Sequence, residues 1–228
     1  MKRDGYHWWR ERMAFMCELF DGVRIDHFRG LESYFSIPYG AKTAKDGVWK
    51  KGPGLSLVRA LQEVCGDKLI IAEDLGDITP EVYALVKRSG FPGMRVLQFA
   101  FLGDDASPHL PHNYENNCVA YTGTHDNNTL LGYVWEQDEA TRRRLLAYFG
   151  YESDNWDDCY DTLMRGMLAS HAGLVMFPIQ DVLKYGSDTR LNTPGSSDKN
   201  WAYRVTRDQL AAIDRKKWRM WNELYGRV

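Results

Sequence analysis

"KLIIAE" occupies residues 68–73, and "TPEVYALVKRSG" follows at residues 79–90. Leu69–Ala72 is an apolar run without polar alternation, the pattern of a strand buried on both faces in a parallel sheet. The second stretch sets Thr79 at an N-cap, Pro80 one position inside and Gly90 just past the end, so it reads as a helix with both ends marked. A buried strand leading into a helix is one βα unit.

The same pattern extends in both directions. Upstream, Trp9, Met13, Met16 and Phe20 recur at helical spacing, which predicts a helix over about 6–20, ended by Asp21-Gly22. Val23–Asp26 reads as a strand, "GAKTAKDGVWKKGPG" (40–54) as a Gly- and Lys-rich loop, and "LSLVRALQEVCG" (55–66) as a helix. Downstream, "MRVLQFAF" (94–101), "CVAYT" (118–122) and "LVMFPI" (174–179) read as strands, with helices at about 138–149 and 157–171. Residues 186–200 form a polar loop, and Thr206 with Gln209 fits a capping box. Strands alternating with helices place the chain in the α/β class. Five such strands fit either an open doubly wound sheet or part of a (β/α)8 barrel. Without a GxGxxG or GxxxxGK[ST] loop, the nucleotide-binding open sheets lose ground. No repeat or linker divides residues 1–228, so a single domain is expected.

Composition narrows the partners. Twenty-nine basic residues against 31 acidic ones leave a net charge of −2, with no basic field for nucleic acid and no polybasic patch for a membrane. No apolar run approaches spanning length. Cys17, Cys65, Cys118 and Cys159 are widely spaced, which reads as reduced thiols of a cytoplasmic protein. The aromatic content of 13% suits sugar stacking as well as an ordinary core.

Three acidic residues share one kind of position. Asp26 ends "VRID", Glu73 ends "LIIAE", and Asp126 lies just past the fourth strand in "YTGTHDNNT". The carboxyl ends of parallel strands form the ligand-binding face of α/β folds. Acidic residues there can also cap helices, but three together favour chemistry. Arg24 and Asp26 are two apart on a strand and point the same way. A guanidinium beside a carboxylate keeps it ionised, as a nucleophile must be. Glu73 follows four apolar residues, a setting that suits a general acid. One charged and one protonated carboxyl divide the work in retaining glycoside chemistry. His125, beside Asp126, is a candidate donor to substrate hydroxyls. The prolines of "SPHLPH" argue against a metal site at His109 and His112.

Taken together, "GVRIDHFRG", "IIAEDLG", "GMRVLQFAF", "YTGTHDNNT" and "RLNTPGSSDKNW" resemble the 4-α-glucanotransferases of the amylomaltase family, related to the α-amylase clan, from about Gly5 to the chain's end. The resemblance implies retaining transfer of α-1,4-glucan segments to the 4-hydroxyl of another glucan, with no metal and no organic cofactor. It implies Asp26 as nucleophile, Glu73 as general acid/base and Asp126 as the third carboxylate, with Arg24 and His125 as partners at the substrate. Asn192, Pro194, Gly195, Asn200 and Trp201 match a loop after the last strand. "GAKTAKDGVWKKGPG" resembles the family's loop after its fourth barrel strand. Tyr34, Trp49 and Tyr121 are candidate aromatic platforms.

The resemblance also marks a difference. The family has a complete (β/α)8 barrel, with its carboxylates after strands four, five and seven, so this chain is expected to hold about strands 4–8. It resembles a C-terminal part whose N-terminal partner is missing, and open sheet edges there predict self-association. Two other functions are consistent with the same residues: a catalytically incomplete glucan-binding fragment, and an α-glucan hydrolase of the same clan. A metal-dependent barrel hydrolase is a weaker third.

Overall fold

The computed structural model describes residues 1–151 and 156–228. The fold is α/β. The chain divides into two compact units, Met1–Met94 and Arg95–Val228.

The first unit begins with helix α1 (His7–Leu19) and strand β1 (Gly22–Ile25). Strands β2 (Ser33–Ser36) and β3 (Val48–Lys51) follow, then helix α2 (Leu55–Cys65) and strand β4 (Leu69–Ala72). Helix α3 (Pro80–Ser89) leads to strand β5 (Gly93–Val96), which spans the boundary between units. β1 and β4 pair in parallel, with Gly22 opposite Leu69 and Ile25 opposite Ala72. The βα unit expected at 68–90 is therefore present, and Gly90 takes the left-handed conformation (φ 72°) that ends α3.

Met13 and Cys17 of α1, Leu57, Val58 and Leu61 of α2, Ile70 of β4 and Val82 of α3 build one core, closed by an edge-to-face contact between Phe28 and Phe91. Each such side chain contributes about 1.5–3 kcal/mol on burial. The buried stripe of α1 runs through Met13 and Cys17, not through the expected Met16 and Phe20. Phe20 is 50% exposed, and Trp8, Phe15 and Leu19 lie on the outer face. Cys17 and Cys65 bring their sulfurs within 2.9 Å, and burial pushes the Cys65 thiol up to about 12.

The loop expected over 40–54 is a correction. Its second half is β3, which pairs antiparallel with β2. Lysines and glycines hid this strand because both its faces are exposed, so no apolar alternation marks it. Lys51 ties the hairpin to Glu32, a hydrogen bond that holds the Glu32 carboxyl below its ordinary range.

In the second unit, strand β6 (Cys118–Tyr121) is followed by helices α4 (Leu130–Glu136), α5 (Glu139–Tyr148) and α6 (Trp156–Leu168). Strand β7 (Leu174–Met176), the short helix α7 (Ile179–Val182) and helices α8 (Arg207–Ala211) and α9 (Arg215–Leu224) complete it. The sheet order is β5-β6-β7, and β6 and β7 run parallel. Leu130, Leu145, Leu163, Met167 and Trp221 anchor its core. Thr206 and Gln209 form the expected capping box.

Two strands are shorter than expected. β5 stops at Val96, and Leu97–Phe99 turn into a 3-10 helix that buries Gln98. β7 stops at Met176, because Pro178 cannot continue the ladder and instead opens α7. Helix α4, only seven residues long, was not anticipated. Among the described residues no helix is long and apolar enough to cross a membrane.

His109 gives this unit a pH signature. Its Nδ1 accepts the Val96 N–H (3.2 Å), and burial, aided by the Arg95 charge, lowers the imidazole to about 4. The unfolded chain binds that proton near 6.5, so stability falls as pH drops from about 6.5 to about 4. Asp181, raised to about 6 by burial, acts with the opposite sign. His109→Asn keeps an acceptor near Nδ1 and removes only the first effect. Over that window the parent should lose about 5 °C more in Tm than the variant does. Parallel Tm curves would contradict the assignment.

Candidate active site

In the first unit, the β1–β4 register sets the chemistry. Glu73 N–H donates to Ile25 O (3.0 Å), and Phe28 N–H donates to Glu73 O (3.1 Å). These two main-chain bonds bring the chain segment of Asp26 and His27, just past β1, beside Glu73. The two Glu73 oxygens are then occupied separately. Oε2 accepts from His27 N–H (2.7 Å) and Oε1 from Leu75 N–H (2.9 Å). His27 presents its N–H from a left-handed conformation (φ 48°) that a non-glycine residue rarely adopts. The Glu73 carboxylate is thus oriented by main chain on both sides.

Arg24 and Asp26 do share a face. Arg24 Nη2 lies 2.9 Å from Asp26 Oδ1, while its Nη1 reaches Met94 Sδ at 3.9 Å. The Asp26 side chain is 75% exposed, so a ligand can reach it. An ion pair this exposed adds little stability, and its main effect is to orient the carboxylate. Next in line, the buried Asp74 accepts the Met94 N–H (2.7 Å) through Oδ1. A side chain at Gly93 would collide with that carboxylate, so Gly93 is required for the close approach.

Tyr34 and Trp49 do not make one platform. In the hairpin Tyr34 stands opposite Lys50, while Phe35 stands opposite Trp49. Paired residues share a face and neighbours alternate, so Tyr34 and Trp49 point to opposite faces of the ribbon. Both are well exposed, so neither is core. Trp49 packs on Phe35 (5.4 Å between ring centroids) and lies under the Arg29 guanidinium (4.6 Å).

In the second unit, Tyr121 ends β6 half-buried and leads into residues 122–130. His125 Nε2 lies 3.4 Å from Asp126 Oδ2. Asn192 donates through Nδ2 to Asp126 Oδ1 (2.5 Å), and Arg190 donates through Nη2 to the Asp126 main-chain oxygen (2.7 Å). The Trp201 ring lies against His125, with centroids 5.2 Å apart. Asn200 closes the 193–200 turn, accepting from Thr193 N–H and donating to Ser196 O. Gly195 in that turn has φ 78°, which glycine supplies without strain. The "RLNTPGSSDKNW" segment therefore reaches Asp126 and His125 through Asn192 and Trp201. Pro194, Gly195 and Asn200 shape the turn between them.

Sequence reasoning gave no role to His27, Arg29 or Arg190, although all three stand in the motifs quoted above. His27 acts through its main chain and Arg190 partly through a main-chain acceptor, which residue types do not reveal. Among the described residues no cluster of three His, Cys, Asp or Glu could hold a metal ion. His109 and His112 have separate duties, since His112 Nδ1 pairs with the Tyr148 hydroxyl (2.8 Å). What the first unit offers chemically is an accessible, Arg-paired carboxylate and a second one held by main-chain donors, one of them from the residue after Asp26. The second unit offers a carboxylate flanked by an amide, an imidazole and an indole.

Comparison with known proteins adds to this geometry. Residues 1–210 match the family described as 4-alpha-glucanotransferase. A 4-alpha-glucanotransferase of Synechocystis sp. is 45% identical over 232 residues, covering 100% of this chain and 45% of that protein. One from Streptococcus pneumoniae serotype 4 is 46% identical over 211 residues, covering 92% of this chain and 41% of its own. The amylomaltase from Streptococcus agalactiae in complex with acarbose superimposes with a TM-score of 0.91 at 30% identity, over 99% of this chain and 45% of that one. The chain thus spans less than half the length of these relatives.

Because both Glu73 oxygens accept main-chain N–H groups, Glu73→Gln can satisfy only one of them. The variant should lose about 1 kcal/mol, or roughly 2–4 °C in Tm. A melt identical to the parent's would mean that the two bonds do not hold Glu73.

Proposed function

We propose that this chain, which belongs to the 4-alpha-glucanotransferase family, carries the reacting carboxylates for retaining transfer of α-1,4-glucan segments from one glucan to the 4-hydroxyl of another. The observation that carries the reading is the pairing at the ends of β1 and β4. There, an exposed Asp26 bound to Arg24 lies in the chain segment beside a Glu73 fixed by two main-chain donors. A nucleophile needs access and an acid/base needs orientation, and these two positions differ in that way.

In this mechanism Glu73 gives its proton to the glycosidic oxygen while an Asp26 oxygen attacks the anomeric carbon. The C–O bond to the leaving glucan breaks with its electron pair, and a β-glucosyl ester forms on Asp26. Glu73, now ionised, takes the proton of the incoming 4-hydroxyl. That oxygen displaces Asp26 from the anomeric carbon. Two inversions give net retention. Transfer outruns hydrolysis when a bound acceptor presents its hydroxyl at high effective concentration. In the second unit Asp126 is suited to accept hydrogen bonds from sugar hydroxyls, with His125 and Asn192 beside its oxygens. In the first unit Tyr34 and Trp49, and in the second Trp201, are exposed aromatic rings suited to sugar faces.

The proposal extends to architecture and place. The parallel β1–β4 and β6–β7 pairs suit the (β/α)8 barrel that the family resemblance implies. The protein works in a reducing compartment such as the cytoplasm, which its four free, buried cysteines suit. The acarbose complex of the related amylomaltase supports a saccharide substrate.

Maltotriose tests the reading. The expected products are glucose and longer maltooligosaccharides at a constant number of reducing ends. Asp26→Asn should lower the rate about 10³-fold or more with an unchanged melt. A rising count of reducing ends would indicate hydrolysis instead, and near-normal turnover by Asp26→Asn would remove Asp26 as nucleophile.

A further inference from the structure

We propose that Asp181 is the positioning residue for the segment 122–130, clamping both of its ends so that His125 and Asp126 keep a fixed place at the substrate. The role in turnover rests on the transferase reading above; the clamp itself does not.

Asp181 is 1% exposed and lies in α7, a four-residue helix remote in sequence from the segment it holds. Its Oδ2 accepts the Thr122 hydroxyl (2.5 Å), and its Oδ1 accepts the Leu130 N–H (2.7 Å). Thr122 is the first residue after β6, and Leu130 is the first residue of α4. One carboxylate therefore ties the exit of the strand to the entrance of the helix. The segment between them, which carries both candidate substrate residues, is thereby tied at each end.

A buried carboxylate is costly, and a role in packing alone would be met more cheaply by an apolar side chain. What an apolar residue cannot do is accept from two donors eight positions apart in the chain. The clamp is itself anchored. The buried Tyr160 hydroxyl donates to the Asp181 main-chain oxygen (2.9 Å), and Gln180 Nε2 donates to Thr189 O (3.2 Å). Thr189 leads directly to Arg190 and Asn192, which grip the middle of the same segment at Asp126. Residues 180–192 thus hold the two ends and the middle of one loop.

The variants Asp181→Ala, Asp181→Asn and Thr122→Val separate positioning from general stability. An amide at 181 keeps both bonds, with its oxygen toward Leu130 N–H and its nitrogen toward the Thr122 oxygen, which then accepts. Alanine loses both bonds, and Thr122→Val loses only the strand-side one. Hydrogen exchange read by mass spectrometry should rise about tenfold or more in peptides from 122–130 of Asp181→Ala, and not in peptides from 22–75. In maltotriose turnover the kcat of Asp181→Ala should fall about 100-fold, more than KM changes. Asp181→Asn should return both readouts to within about threefold of the parent, with Thr122→Val between.

Unchanged exchange over 122–130 in Asp181→Ala would overturn the proposal. So would an equal rise in every peptide, or an Asp181→Asn variant as impaired as alanine. If the parent itself fails to rearrange maltotriose, the transferase reading falls. The exchange pattern then still decides the clamp, supported by a local rise and overturned by none.

Discussion

The parallel register between β1 and β4 is the constraint on which the candidate chemistry depends. Pairing Ile25 with Ala72 brings the Glu73 N–H onto Ile25 O and sets Glu73 beside the chain segment that follows β1, where Asp26 lies. A slip of one residue would turn every side chain of one strand to the other face, and the Arg24–Asp26 pair with it. The same register delivers the His27 N–H to Glu73 Oε2, so it orients the carboxylate as well as placing it. Buried Ile70 and Ala72 on one strand, and helices α1 and α2 packed over it, fix that register through apolar burial. The core sets the geometry and the two acidic residues use it.

The second unit solves a different problem. Its acidic residue lies not at a strand end but five residues beyond β6, in a segment with no ladder to hold it. There, polar side chains replace sheet register. Asn127 closes the inner turn by accepting from Thr124, Gln98 reaches the Asn128 carbonyl, and Asn128 reaches Ser187. A side chain at Gly123 or Gly132 would collide with this network, which explains glycine at both places. A network of this kind is worth its burial only when its members are satisfied together.

Much of this was legible in the sequence, and the exceptions have physical causes. Leu69–Ala72 and the Thr79–Gly90 helix were readable because burial and capping leave local marks. The i,i+2 relation of Arg24 and Asp26 followed from strand geometry alone. The β2–β3 hairpin was not readable, because a ribbon exposed on both faces carries no alternation. β5 was overread, because "LQFAF" is apolar in a 3-10 turn as it would be in a strand. Phe20 was misplaced because α1 buries Cys17, a small apolar residue that the larger Met16 and Phe20 outweighed in the pattern. The main-chain donors of His27 and Leu75, and the reach of Asp181 across 51 residues to Leu130, belong to tertiary structure and have no local signature.

The most direct test of the central claim is to trap the covalent intermediate and find the residue that carries it. Fluoride leaves α-maltosyl fluoride without a proton from the enzyme, so Glu73→Gln can still form the ester yet lacks the base that would clear it. Mass spectrometry of the digested protein should then show one maltosyl addition on the peptide containing Asp26. A folded sample with no addition, or with the sugar on a different carboxylate, would contradict the account.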